Sequence, residues 1–466
     1  MHFGQLEEIG PSQGASLQVQ SISYRNPLDV FSRLYGKHNC IFLLESIEGS
    51  KKLAEFSFIG FSPKKMITVK RGEARLMEGS DAPSGIGNDP LGPIRDEVDA
   101  NRVRYGQFRL VGGAVGYISY DTVRYWEKLP GPASDDLDLP DVEMGIYADG
   151  IVFNHVEKRA YYYHSGENRL GEVERCLRGP APEGESLSFS EPVSNMSKED
   201  FERAVVRAKE YISEGDIFQV VLSKRYDLSI RGNLINFYRA LREINPSPYM
   251  YFLKHGERQI VGSSPEMLMR VEGGAVETYP IAGTRPVSDD PVKNKALSEE
   301  LLADPKERAE HVMLVDLARN DIGRISEYGS VSVPEFMTVH QFSHVQHIVS
   351  RVVGRLSPDY DCFDAMEAML PAGTLSGAPK VRAMEIIDEL ERARRGPYAG
   401  AVGYFSFNGS ADFAITIRTL VAQGDRAYIQ VGAGIVADSV PEREWFETEQ
   451  KAGALMKALR KACERP

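Results

Sequence analysis

The sequence predicts an α+β fold with a β-rich N-terminal part and a larger C-terminal part. Three observations lead there. Residues 17–70 string together strand-like runs, "LQVQSISY", "CIFLLES", "FSFIGFSP" and "KMITVKRG", joined by short polar links. Past residue 197, helical and strand patterns mix without the regular alternation of a doubly wound sheet. Between them, 178–196 ("RGPAPEGESLSFSEPVSNM") concentrates Pro, Ser and Glu, the composition of a linker. The boundaries expected are therefore an N-terminal domain at 1–177, a linker at 178–196 and a C-terminal domain at 197–466.

Each element has a local reason. Residues 72–93 are rich in Gly, Pro, Ser and Asp and read as a surface loop. "FRLVGGAVGYISYD" and "MGIYADGIVFNHVEKRAYYYH" read as strand pairs. Ser197 with Asp200 three residues on resembles a capping box, and Phe201, Val205, Ala208 and Ile212 recur at helical spacing, so a helix follows and ends near Gly215. "IFQVVLSKRYDLSI" is the next strand. "PIAGTRP" (280–286) has two prolines, which a central strand does not accept, so it is expected at a strand end or turn. In "DPKERAEHVMLVDLARND", Asp304 is a good N-cap and Pro305 suits the first helical position. Another helix starts at Pro441.

Composition excludes several functions. Among 466 residues the net charge is -12, against the surplus of Lys and Arg that phosphate backbones demand, so no nucleic-acid partner is expected. Hydrophobic content of 42% and charged content of 26% are ordinary globular values. No apolar run approaches the ~18 residues of a membrane span, and "MHFGQLEEIGPSQGAS" is too polar for a signal peptide, so a cytoplasmic location is expected. Cys40, Cys176, Cys362 and Cys463 are far apart and read as reduced thiols.

Residues suited to chemistry cluster in the C-terminal part. Glu307 and Glu310 lie three apart on one helix, and Glu444 and Glu447 three apart on another. Two such pairs suit one hard divalent cation, and each also describes a solvated helix face. "LPAGTLSGAPK" and "VGAGIVADS" offer glycine amides to an anion, or are tight turns. Arg418 interrupts an apolar alternation in "DFAITIRTL", read as one strand; turned inward it needs an anionic partner. Glu266 follows a Ser-Ser-Pro turn, where a partly buried carboxyl stays protonated and acts as a general acid.

In this order, "GDIFQVVLSKRY", "GSSPEML", "PIAGTRP", "ERAEHVMLVDLARND", "QHIVS", "PAGTLSGAPKVRAMEIIDELE", "RGPYAGAVGY", "ITIRT" and "QVGAGIVADSVPEREWFETEQKA" resemble the chorismate-utilising enzymes, densely over 197–460. The N-terminal part resembles them through "FLLES" and "FSFIGFSP". The resemblance implies a sandwich of antiparallel β-sheets flanked by helices. It implies Mg2+ bound by Glu310 and Glu447, with Glu307 and Glu444 orienting the metal's waters. Gly432, Ala433 and Gly434 would offer amides to a carboxylate of chorismate, and Arg418 with Tyr398 would hold the enolpyruvyl carboxylate. Gly283 and Thr284 would line the ring, Glu266 would protonate the departing C4 hydroxyl, and Thr374 and His347 would sit close by.

Members of this family differ in what attacks C2. Those that add water carry a lysine base where this chain has Gln219, and those that make aminodeoxychorismate carry a lysine at Ala282. A carboxamide is no base at neutral pH and alanine is no nucleophile, so the resemblance points to ammonia and to anthranilate plus pyruvate as products. Aminodeoxychorismate, isochorismate or salicylate formation, and a non-catalytic sensor, are the alternatives. The sequence has no Cys elbow with a downstream His–x–Glu. The resemblance then implies a separate glutamine amidotransferase subunit as the source of ammonia, in a heterotetramer of two of each. The resemblance also implies inhibition by L-tryptophan in the N-terminal, regulatory region, through Ser46, Pro248, Tyr249 and Met250.

Overall fold

A computed structural model describes residues 16–47, 55–76, 84–131, 133–179, 185–342 and 345–464. The polar N-terminal stretch, part of the 72–93 loop and residues 180–184 of the expected linker lie outside the described residues. The elements that matter here are α1 (Lys198–Ser213), β1 (Gln219–Arg231), β2 (Ile281–Pro286), α2 (Pro305–Gly323), β3 (Val345–Arg355), α3 (Lys380–Leu390), β4 (Ala411–Ile415), β5 (Thr419–Gln423), β6 (Arg426–Ile435) and α4 (Pro441–Cys463). None of the described helices is long and apolar enough to cross a membrane.

Two large antiparallel sheets face each other, as the α+β sandwich expectation requires. The first has 13 strands among the described residues, and runs from Gln18–Ile22 at one edge to β5, β6 and β1 at the other. The second has 12, with β2 beside β3 at one edge and the N-terminal strands Val142–Tyr147 and Lys65–Lys70 toward the other. Phe42, Tyr147, Tyr251, Val402, Val421 and Tyr428 come from both sheets and form a shared buried layer between them. Other apolar faces of the sheets and their covering helices form two further clusters.

The composition break at 178–196 does not separate these layers. Cys40–Glu45 pairs with Tyr249–His255, and Gly113–Ile118 pairs with Ala401–Ser406, so both sheets run across the expected domain boundary. Within the linker itself, Ser188–Phe189 and Val193–Ser194 pair with β1. Backbone pairing satisfies polar groups there that a free linker would leave to water.

Local signals place the helices well. The Asp304 side chain accepts from the amides of Lys306 and Glu307, with Pro305 at the first helical position of α2. At α1 only half of the expected capping box forms: the Ser197 hydroxyl accepts from the Asp200 amide, while the Asp200 carboxylate turns to Arg203 and Arg392. "PIAGTRP" is an edge strand, not a bare turn. Its register against β3 shifts between Ala282 and Arg285, where Gly283 adopts φ +66°. An edge with a bulge is where a sheet tolerates proline.

If Ser197 caps α1 alone, Ser197→Ala should cost about 1 kcal/mol while Ser197→Gly costs only a few tenths, seen as a larger fall in Tm for the alanine variant. Equal Tm values for both variants and the parent would contradict the cap.

Candidate active site

Two places where the chain passes from one sheet to the other hold the central charges. Glu266 lies between Arg258–Ser264 of the first sheet and Met267–Glu272 of the second. Arg418 lies between β4 of the second and β5 of the first, so the expected single strand through "DFAITIRTL" is broken. The break is conformational: Arg418 has φ +50°, in the left-handed region and outside the extended backbone of a regular strand. The crossings are stitched together, with the Ile415 amide donating to the Glu266 carbonyl (3.1 Å) and the Ser263 amide to the Arg418 carbonyl (3.2 Å).

Burial dominates the chemistry here. Desolvation pushes the Glu266 carboxyl up to about 7, against the opposing pull of Thr374, Arg418 and Lys451. The Thr374 hydroxyl is close enough to exert that pull, yet it is buried without a hydrogen bond of ordinary geometry. Burial also lowers the Arg418 guanidinium, and the Glu266 charge opposes that shift. One Arg418 nitrogen donates to Asn245 Oδ1 at 3.3 Å.

His347 projects from β3 toward the bulge of β2. Its Nδ1 lies 2.7 Å from the Gly283 carbonyl and 3.2 Å from the Thr284 hydroxyl. A carbonyl only accepts, so Nδ1 carries a proton, and in the neutral ring Nε2 keeps its lone pair. Burial lowers the imidazole, while the bond to the Gly283 carbonyl opposes that shift. Gly283 is required where it stands: a Cβ there would lie 2.8 Å from Leu301 Cδ1 in a left-handed conformation. Ala282, beside it, is buried opposite Ile348.

The four glutamates carry different loads. Arg285 of the bulged strand donates to Glu307 at 3.4 Å. Glu310 Oε1 accepts from Gln219 Nε2 at 3.3 Å, while burial and then the Glu307 charge raise its carboxyl. Burial raises Glu444 too, with Glu447 adding to the rise. Glu447 pairs with Lys451 at 2.8 Å, and Lys451 also donates to the Gly432 carbonyl at 2.8 Å. Among the described residues no group of three or more His, Cys, Asp or Glu converges as a ligand set. Mg2+ asks for less: one or two carboxylates, waters and an anionic ligand. Mutual repulsion among Glu310, Glu307, Glu444 and Glu447 and their hard oxygen donors fit such a cation.

The glycine stretches differ from the anion nests expected. Gly432, Ala433 and Gly434 are part of β6 and pair with Ser223, Leu222 and Val221 of β1. In an antiparallel ladder a residue's N–H and C=O point the same way, alternating along the strand. The Gly432 carbonyl faces Lys451 and the Ser223 amide faces Glu391, so that pair points away from the ladder. Gly432 and Gly434 therefore present their amides at the open edge of β6, and Ala433 spends its own on β1. The Tyr398 hydroxyl lies against Gly432, where a Cβ would come within 2.7 Å of it. In "PAGTLSGAPK", Gly377 and Ala378 pair with Val220 and Gln219 and so are not an open nest either.

Ser46, Pro248, Tyr249 and Met250 meet at a second cavity between the sheets, with Arg109, Arg270 and Asp412. The Ser46 hydroxyl donates to the Pro248 carbonyl at 2.6 Å. Sequence reasoning missed Lys451, Asn245 and Arg285. Only Lys451 had a signal, its i,i+4 spacing from Glu447; the others arrive by long-range packing.

The sequence profile of the chorismate binding enzymes matches residues 77–457. The chain is 47% identical over 445 residues to the anthranilate synthase component 1 of Methanothermobacter marburgensis, covering 96% of this chain and 95% of that one. To the anthranilate synthase component 1 of Aquifex aeolicus it is 44% identical over 463 residues, covering 94% and 93%. Among solved structures, anthranilate synthase component I from Streptococcus pneumoniae superposes with a TM-score of 0.78 at 39% identity, covering 88% of this chain and 93% of that one. The isochorismate synthase MenF of Escherichia coli shares the fold, with a TM-score of 0.71 at 19% identity, covering 96% and 95%. The chain belongs to the chorismate binding enzyme family.

Proposed function

We propose that the chain aminates chorismate at C2 with ammonia and then expels pyruvate to form anthranilate, with Mg2+ as cofactor. One observation carries this reading: the site holds a buried acid, Glu266, for a leaving hydroxyl, while positions 219 and 282 supply neither a base for water nor a nucleophile. Its relatives' names support it. When bound, Mg2+ held by Glu310 and Glu447 would neutralise the ring carboxylate, with Glu307 and Glu444 orienting its waters.

The chain's own groups then divide the work. Gly432 and Gly434 amides and the Arg418 guanidinium, with Tyr398, hold the substrate's carboxylates. Glu266 donates its proton to the C4 oxygen, because hydroxide leaves poorly and water leaves well. Ammonia bonds to C2 as the ring double bonds shift and the C4–O bond breaks. Gln219 Oε1, buried with no hydrogen-bond partner in the structure, is available to accept an N–H of the incoming ammonia. His347 Nε2 is the group suited to take the C2 proton. The C2–H electron pair becomes the C2–C3 double bond as the C3–O bond breaks; the leaving enolpyruvate takes a proton on its methylene carbon and the added nitrogen gives one up, so chorismate plus ammonia has become anthranilate, pyruvate and water.

Ammonia comes, in this reading, from a separate glutamine amidotransferase subunit, two of each forming the assembly. L-tryptophan would fill the cavity at Ser46, Pro248, Tyr249 and Met250 and act from there as inhibitor.

The acid assignment has a pH signature. Glu266 must be protonated, so kcat/KM, corrected for free ammonia, should hold below about 7 and decline as pH rises through it, and Glu266→Gln should cut kcat by about 10²–10⁴. A variant of undiminished rate would remove Glu266 from the chemistry. At position 282 a lysine would itself reach C2, so Ala282→Lys should lower anthranilate formation by at least about tenfold. Unchanged anthranilate output would show that this position does not select the nucleophile.

A further inference from the structure

Glu266 is buried, with 9% of its surface exposed, and this inference rests on the reading that it yields one proton per turnover. A cavity of about 40 Å³ lies against it. Glu266 and Thr374 line it together with Leu314, Leu317, Ala318 and Asp321 of α2. At 1.5 Å per residue, Asp321 lies about 16 Å further along the helix axis than Glu310. The cavity thus leads away from the acidic cluster of α2 and toward that helix's other end. It has room for about three waters. The Thr374 hydroxyl, buried without a hydrogen bond of ordinary geometry, lines it beside Glu266.

We propose that this cavity returns protons to Glu266 after each turnover, with Asp321 as the outer member of the relay and Thr374 as the inner one. A proton from bulk water adds to the Asp321 carboxylate. Asp321 hands one to the cavity waters, these pass one to the Thr374 oxygen, and the Thr374 hydrogen moves to the Glu266 carboxylate. One proton enters, one carboxylate is neutralised, and Asp321 and Thr374 end as they began.

The electrostatics suit this direction. Burial raises the Asp321 carboxyl, so that it takes up a proton more readily, while Lys380 (2.6 Å away) and Arg324 oppose the rise. Arg418 and Lys451 face Glu266 in the same opposing sense. Ammonia entering by this path would meet the Glu266 acid before it met the ring. As the stronger base it would strip that proton, so the path suits water.

Two variants test the relay with ammonium as nitrogen source: Asp321→Asn removes the outer carrier, and Ala318→Leu fills the cavity without touching the Asp321–Lys380 pair. Reprotonation follows product formation, so each variant should lower kcat by about tenfold and leave kcat/KM within about twofold. The solvent deuterium effect on kcat should grow in both. Imidazole, a small diffusible proton donor, should restore kcat in Asp321→Asn. Unchanged kcat in both, or kcat and kcat/KM falling together without imidazole rescue, would overturn the relay. Glu266→Gln separates the two readings: if it still turns over, the acid assignment has failed; if it is inactive while the relay variants behave as wild type, only the relay has failed.

Discussion

The site depends on one constraint: two chain crossings between the sheets run side by side. Backbone bonds from Ile415 to Glu266 and from Ser263 to Arg418 lock them together. A crossing leaves its residues out of the ladders, so their side chains turn into the seam between the layers. An acid and a guanidinium thereby meet in a desolvated place that neither would enter alone. The same desolvation that penalises their charges gives Glu266 its carboxyl near 7 and leaves Arg418 in need of an anion. Chemistry and fold are coupled at this point, because any change that separates the crossings also rehydrates the acid.

A buried ion pair holds the remaining wall in place. The Arg395 side chain is 1% exposed and pairs with Glu391. It also donates to the carbonyls of Leu375 and Val221, each at 2.7 Å. Glu391 in turn accepts from the Ser223 amide at 2.8 Å. The turn carrying Thr374 is thus tied to the strand carrying Gln219 through one planar cation, which presents several donors in fixed directions. With all three guanidinium nitrogens bonded, the pair fixes geometry where an apolar pair would allow sliding.

Much of this was legible in the sequence, and the limits follow from range. Caps are local, so Asp304 with Pro305 fixed the start of α2, and prolines at both ends of "PIAGTRP" marked a special strand. Glu266 was readable as a buried acid from its turn and the apolar run after it. What escaped was set by distant partners. Nothing near Arg418 announces its left-handed backbone, which the partner crossing imposes. The fate of Gly432, Ala433 and Gly434 depends on β1, some 210 residues earlier, and only that register shows that Ala433 spends its amide on the ladder. The composition of 178–196 spoke for a linker, while strand pairing across the sheets decided the architecture.

The central claim is that this site adds ammonia to chorismate and carries the product through to the aromatic ring. The most direct measurement incubates the purified chain with chorismate, Mg2+ and ammonium salt, without a partner, and identifies products by mass and by anthranilate fluorescence, before and after chelation of the metal. Anthranilate and pyruvate are expected in equal amounts, lost on chelation and regained with Mg2+. A water adduct, or an aminated product that keeps its enolpyruvyl group, would contradict the central claim.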